Sequence, residues 1–249
     1  MRPLLRRKPI PHILSFGGVY SNHVAALSAA STKYGFPLTL CLRGEPVDNH
    51  VVALARRSGA DLIWLSRSDY RRREEADFQR ALLRRAAATH GCSPEAIELL
   101  PEGGTTTEAI QSAGAVYTET VTQLGRVPDV FCLSVGTGGT AAGVLRASDG
   151  RCRVEAFPAL RGKWLVKHPL LPRRGARNFA LVTDYHFGGY GKFPAHWAQR
   201  MELPAYPGLP LEPVYTAKLF FGLHDRITKG VYPRGSTVVA LHTGGTYAI

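Results

Sequence analysis

Val130-Phe131-Cys132-Leu133-Ser134-Val135-Gly136-Thr137-Gly138-Gly139-Thr140 joins an apolar run to a glycine-rich turn. A short apolar run bounded by glycines reads as a buried strand, here Val130–Ser134, and the chain from Thr140 reads as a helix. Strand, glycine turn and helix make half of a parallel α/β unit, and the sequence repeats it in both directions. Upstream, strands are expected at Ile13–Phe16, Leu38–Leu42, Leu62–Leu65 and Ile97–Leu100. Helices are expected over Asn22–Tyr34, Asn49–Ser58 and Glu74–His90. Gly35, Gly59 and Gly91 stop them, because glycine readily takes the left-handed conformation that closes a helix. A helix from about Thr107 to Leu124 leads into the quoted segment. Downstream come strands near Val154–Phe157, Ala180–Thr183 and Thr237–Leu241, and a helix over Pro213–Lys229. Short connections between alternating strands and helices predict the α/β class, with parallel sheets covered on both faces.

Four glycine-rich segments follow strands: Phe16 to His23 (FGGVYSNH), Leu100 to Thr105 (LPEGGT), Val135 to Thr140 (VGTGGT) and His242 to Thr246 (HTGGT). Ligands of open α/β sheets bind at the C-terminal ends of the strands. Four such loops point to a polar, partly anionic small molecule held by backbone N–H groups. Gly136-Thr137-Gly138-Gly139-Thr140 is either a tight structural turn or a phosphate cradle, in which free N–H groups and the positive end of the following helix favour an anion. It is neither a Walker A loop nor GxGxxG. Ser21 is either a helix N-cap or a ligand-facing hydroxyl beside Asn22. Tyr215 fits core packing, acid/base work or a ring facing a cofactor.

The 249 residues carry 31 Lys and Arg against 19 acids, a net charge of +12. The basic residues fall in scattered clusters (Arg6-Arg7-Lys8, Arg71-Arg72-Arg73, Arg84-Arg85, Arg173-Arg174) without interleaved aromatics, which describes a solvated surface that attracts small anions and argues against nucleic acid as a partner. The first 44 residues contain no acid, as in a transit peptide, yet the strand at Ile13 places folded structure near the start, and no long apolar segment for secretion precedes it. No apolar run approaches a membrane span. Cys41, Cys92, Cys132 and Cys152 form no CxxC pair, which argues against a metal module and for reduced thiols in a cytoplasm.

The ordered set FGGVYSNH, SRSDYRR, LPEGGT, VGTGGT, HFGGYGK, EPVYTAK and HTGG resembles the pyridoxal-phosphate-dependent enzymes related to 1-aminocyclopropane-1-carboxylate deaminase and D-cysteine desulfhydrase, from about Ile13 to Gly245. The resemblance implies two open, mostly parallel α/β domains of the tryptophan synthase β-like architecture (fold type II). A smaller domain spans 8–110, and a larger cofactor-binding domain spans 111–249, with the cofactor in the cleft. It implies a homodimer, a small amino-acid substrate, no metal, and a lyase or deaminase reaction. By resemblance Gly136, Thr137, Gly138, Gly139 and Thr140 bind the cofactor phosphate, and Asn22 lies by its phenolic oxygen. Ser21 lies near the substrate carboxylate, and Tyr190 and Tyr215 are active-site tyrosines. Thr216 takes the position beside the pyridine nitrogen. A threonine there, where the aminocyclopropane-carboxylate deaminases carry glutamate, favours α-proton removal and β-elimination, as with D-cysteine.

One family residue is not found. These enzymes hold the cofactor as a Schiff base on a lysine in a GNK-type segment upstream of the SNH loop. Only 20 residues precede Ser21, and no GNK occurs. Lys8 matches the connection before the first strand, and Lys33, Lys163, Lys167, Lys192, Lys218 and Lys229 fall at other family positions. Three explanations stand: a late start that lacks the N-terminal part of the larger domain, a degenerate protein that binds without turnover, or use of another lysine. Lys218, about one helical turn from Tyr215, is the substitute to consider.

Overall fold

The computed structural model describes residues 10–162, 169–172, 176–194 and 208–245. Lys8, Lys163, Lys167 and the clusters Arg6-Arg7-Lys8 and Arg173-Arg174 lie outside the described residues. The chain divides into two compact units, Met1–Thr106 and Thr107–Ile249.

In the first unit β1 (His12–Gly18), β2 (Leu38–Arg43), β3 (Asp61–Leu65) and β4 (Ile97–Leu100) form one sheet in the order β3-β2-β1-β4. All its ladders are parallel, with Ile13 opposite Leu38 and Leu14 opposite Leu99. Side chains alternate across a strand, and both faces of β1 are covered. Ile13 enters a cluster with Val24, Leu27, Leu40 and Val52, while Leu14 and Phe16 enter another with Ile63, Leu82 and Ala86. Burial on both faces is why β1 reads as an unbroken apolar run. The covering helices are α1 (Asn22–Tyr34), α2 (His50–Arg57), the short α3 (Arg67–Arg71) and α4 (Ala76–His90). Gly35 and Gly91 close α1 and α4 with φ of 69° and 61°. The expected helix at Glu74 starts instead at Ala76, and α3 precedes it. Ser66 accepts from the Asp69 N–H and caps that extra turn.

In the second unit α5 (Thr107–Leu124) precedes β5 (Val130–Val135), α6 (Gly139–Ser148), β6 (Arg153–Pro158), β7 (Phe179–Leu181), α7 (Thr216–Thr228) and β8 (Val238–Ala240). The sheet order is β7-β6-β5-β8, again parallel throughout. Phe131, Leu133 and Val135 face one core cluster, and Val130 and Cys132 face the other. α5 and α6 pack backbone to backbone: a Cβ on Gly143 would lie 2.3 Å from the Ile110 carbonyl oxygen and 2.9 Å from the Ala113 Cβ. That contact sets α6, and with it the glycine turn at its start.

The expected α/β class, in two parallel-sheet units, is observed. Among the described residues no helix is long and apolar enough to cross a membrane, no cluster of metal-ligating side chains forms, and the four cysteines are free.

Candidate active site

Ser21 and Asn22 follow β1 in the first unit and Gly136–Thr140 follow β5 in the second, while Tyr190 lies in the loop past β7 and Tyr215 and Thr216 at the start of α7. In the first unit, Ser21 ends the turn after β1, and its Oγ accepts weakly from the Val24 N–H at 3.4 Å, so it is an N-cap. Asn22 follows at the start of α1, half-buried. His23 is built into the sheet edge. Its Nε2 lies 2.8 Å from Ser15 Oγ, and Ser15 donates to the Leu100 carbonyl at 3.0 Å. With the serine hydrogen directed at Leu100, Nε2 carries the hydrogen and donates to Ser15. Burial lowers the His23 pKa to about 4. The ring edge also lies against Gly104, where a Cβ would fall 3.1 Å from Cε1.

The loop after β4 is held from its other side by the SRSDYRR segment. Tyr70 donates to Glu102 Oε1 at 2.8 Å, and Arg73 Nε pairs with Glu102 Oε2 at 2.9 Å. Tyr70 is almost wholly buried, packs edge-on against Phe16, and carries the Arg43 and Arg73 guanidinium groups over its ring at 5.6 and 5.3 Å. Burial and the Glu102 carboxylate raise its pKa well above the usual phenol value. One tyrosine after β3 thus touches the ends of β1, β2 and β4, so SNH and PEGG share one braced edge.

In the second unit Gly136–Thr140 turn from β5 into α6. Gly138 is the left-handed N-cap (φ 84°), and no side chain caps the helix. Tyr215 lies directly against the turn: a Cβ at Gly136 would sit 3.2 Å from its Cε1 and 3.4 Å from its hydroxyl. A side chain there would have to push the ring back by a few tenths of an ångström. Ser134 donates to the Tyr215 carbonyl at 3.1 Å, and the Tyr190 ring meets that of Tyr215 edge-on, with centroids 6.5 Å apart. Tyr190, Tyr215 and the turn are therefore one local assembly.

Thr216 is fully buried. Its Oγ1 accepts from the Glu212 N–H at 2.8 Å and donates back to the Glu212 carbonyl at 3.3 Å. The buried Glu212 carboxylate accepts from the N–H groups of Val214, Tyr215 and Thr216, each at 2.7 Å. This turn is why α7 begins at Thr216 and not at Pro213. Lys218, 1% exposed, donates to the carbonyl oxygens of Ala159 (2.8 Å), His186 (3.1 Å) and Gly189 (2.7 Å). Burial lowers its pKa to about 8, with Glu212 opposing. The other described lysines are peripheral to this assembly or exposed: Lys33 over the Tyr34 ring, Lys229 on Asp225, and Lys192 beside Gly188. Sequence reasoning left Glu102, Tyr70, Glu212 and Ser15 without roles. The acid before a tyrosine-started helix in Glu212-Pro213-Val214-Tyr215 was a readable cap signal; the pairing of Tyr70 with Glu102, 32 positions apart, was not.

The donor set fits a phosphorylated ring cofactor. A helix N-terminus without a side-chain cap leaves N–H groups for an anion. Tyr215 borders the turn, close enough that a Cβ at 136 would press on its ring, and Tyr190 packs edge-on against Tyr215. A parallel α/β fold with a phosphate-type turn at a strand end and acid/base side chains around it defines a cofactor-dependent enzyme class. Residues 6–244 match the pyridoxal-phosphate dependent enzyme family, and the chain belongs to that family. It is 30% identical over 260 residues to a Pyrococcus abyssi protein with the provisional name 1-aminocyclopropane-1-carboxylate deaminase, covering 94% of this chain and 73% of that protein. A 1-aminocyclopropane-1-carboxylate deaminase of Methylobacterium sp. is 28% identical over 269 residues, covering 95% and 77%. The crystal structure of an ACC deaminase homologue superposes with a TM-score of 0.75 at 25% identity, over 96% of this chain and 75% of that one. Serine racemase from Dictyostelium discoideum shares the fold at TM-score 0.58 and 15% identity, over 94% and 76%.

Proposed function

We propose that the chain is a pyridoxal-phosphate-dependent lyase or deaminase of a small amino acid, working as D-cysteine desulfhydrase or 1-aminocyclopropane-1-carboxylate deaminase does. With D-cysteine and water the products are ammonia, sulfide and a 2-oxo acid. The observation that carries this reading is the local assembly of Tyr190, Tyr215 and the Gly136 turn. Gly136, Thr137, Gly138, Gly139 and Thr140 hold the cofactor phosphate through backbone N–H groups and threonine hydroxyls. Asn22 contacts the cofactor ring's oxygen. Thr216 is assigned to the pyridine nitrogen by family resemblance alone, since its hydroxyl is engaged in the Glu212 turn. When bound, the cofactor would supply an electron sink: for D-cysteine it would take the pair left when the α-proton departs, whereas 1-aminocyclopropane-1-carboxylate has no α-proton and would instead be opened at its ring. Ser21, Tyr190 and Tyr215 move protons at the substrate, and burial around the tyrosines restricts water. The same reading places the protein in the cytoplasm as a homodimer, with its cationic surface drawing in anionic ligands.

The test is a pyridoxal phosphate titration followed by visible absorbance, then assay of 2-oxo acid from D-cysteine and 1-aminocyclopropane-1-carboxylate. Saturable cofactor binding with 2-oxo acid formed is the expected result. Cofactor bound with no 2-oxo acid from any small D- or L-amino acid would overturn the lyase reading in favour of a binding protein.

A further inference from the structure

The loop that delivers Tyr190 has an unusual backbone. From His186 to Gly191 it passes through left-handed φ at Phe187 (50°), Gly188 (94°), Gly189 (129°) and Gly191 (66°). Phe187 is not glycine, so its backbone is held there by its surroundings. Its ring is surrounded by Tyr185, Phe193 and Phe221, with centroids 5.3–6.5 Å away. The loop's turns are closed locally, Gly189 N–H to the His186 carbonyl at 2.9 Å and Lys192 N–H to the Gly189 carbonyl at 3.1 Å. Those same two carbonyls converge on the Lys218 ammonium, and a third arrives from Ala159, just past the end of β6. Carbonyl oxygens turned toward one point repel each other unless a cation sits there. An ammonium has three donors, and here each has a partner.

We propose that Lys218 is a positioning residue, the built-in cation that fixes the 186–191 loop and so places Tyr190 against Tyr215. It acts through the loop and does not itself hold the cofactor. The consequence for the reaction rests on the function proposed above; the organisation of the loop does not.

The experiment separates the two. Chymotrypsin cleaves after Phe187 and Tyr190, so cleavage of the cofactor-free protein reports loop order directly. In Lys218→Met, which keeps length and loses charge, cleavage there is expected to speed up about tenfold or more, since three carbonyls lose charge-assisted bonds. Lys218→Ala leaves space for n-propylammonium, which should restore resistance, whereas n-propanol, similar in shape and neutral, should not. With pyridoxal phosphate bound, Lys218→Met should keep cofactor affinity within about threefold while kcat falls about a hundredfold or more, given the size of acid/base contributions. Borohydride reduction of the loaded wild-type protein and peptide mapping should leave Lys218 unlabelled.

A Lys218→Met loop as resistant as wild type, rescue of Lys218→Ala by n-propanol as good as by the ammonium, or a label on Lys218 would each overturn the proposal. If the variants do not fold, lysine Nζ NMR of the wild type decides. A slowly exchanging ammonium is expected for Lys218, and a neutral or fast-exchanging amine refutes the idea. Should the wild type neither bind pyridoxal phosphate nor form a 2-oxo acid, the proposed function fails while the proteolysis and NMR results still decide the role of Lys218.

Discussion

At the residue scale the most demanding contact is between Gly136 and Tyr215. The ring lies where a side chain at 136 would be, so one position serves both the anion turn and the tyrosine. The two roles separate by substitution. Gly136→Ala puts a Cβ 3.2 Å from the Tyr215 ring, which must shift by a few tenths of an ångström, and the turn shifts with it. The expected outcome is about a tenfold loss of pyridoxal phosphate affinity, or ~1.4 kcal/mol. Tyr215→Phe removes only the hydroxyl. It should leave cofactor affinity nearly unchanged and lower kcat by about 10²–10⁴-fold, the range for a proton-transfer group. Titration by absorbance and steady-state 2-oxo acid assays read the two effects. Equal cofactor loss in both variants would mean that Tyr215 only packs against the turn.

At the element scale, what could be read from sequence and what could not divide by the range of the interaction. The β1 and β5 strands were legible because burial on both faces leaves an unbroken apolar run. The ends of α1 and α4 were legible because a left-handed closing residue selects glycine at 35 and 91. The candidate residues Ser21, Asn22 and Gly136–Thr140 were legible as strand-end loops. Less visible were features made by distant partners: Glu102 between Tyr70 and Arg73, Lys218 among three carbonyls, and the α5–α6 contact at Gly114 and Gly143. A glycine inside a helix reads locally as a small penalty. Only the packed structure shows that Gly143 lets α6 touch α5 and so sets the phosphate turn. Gly143→Ala drives a methyl into the Ile110 carbonyl and the Ala113 side chain. It should destabilise the second unit by about 2–3 kcal/mol, as overpacking does, and weaken cofactor binding without any direct contact. Urea unfolding followed by circular dichroism checks the stability term. An unchanged midpoint would show that the helices separate freely.

At the scale of the whole molecule the two units differ in how they meet acid. The first unit contains two histidines with strongly lowered pKa values, His12 and His23, both to about 4. Burial is the main cause for each. For His12 the neighbouring His90 adds to it and Asp61 opposes it, and its Nε2 bonds the Thr39 hydroxyl at 2.9 Å. Among the second unit's described residues, His186 is lowered as well, by burial, Arg161 and Lys218, but it sits in a loop and not in a sheet. A histidine whose folded pKa lies below its unfolded value near 6.5 binds fewer protons folded than unfolded between those two pH values. Its contribution is therefore complete above about pH 6.5 and is lost as pH falls toward 4. For the enclosed His23 the loss is at most about 3 kcal/mol, from the 1.36 kcal/mol carried by each pKa unit. His12 adds to it in the same direction. Protonation falls on Nδ1 of His23, because Nε2 already carries the hydrogen given to Ser15; it places a charge against the Gly104 turn and adds to a charge that is already +12. Peptide-resolved hydrogen exchange at pH 7 and pH 5 should therefore show β1 and β4 losing protection before β5 and β6. His23→Asn, which cannot take a proton in this range, should weaken the acid dependence of the first unit and leave the part that His12 carries. Uniform loss of protection across both units, or an acid response unchanged by His23→Asn, would show that His23 does not set the first unit's acid sensitivity.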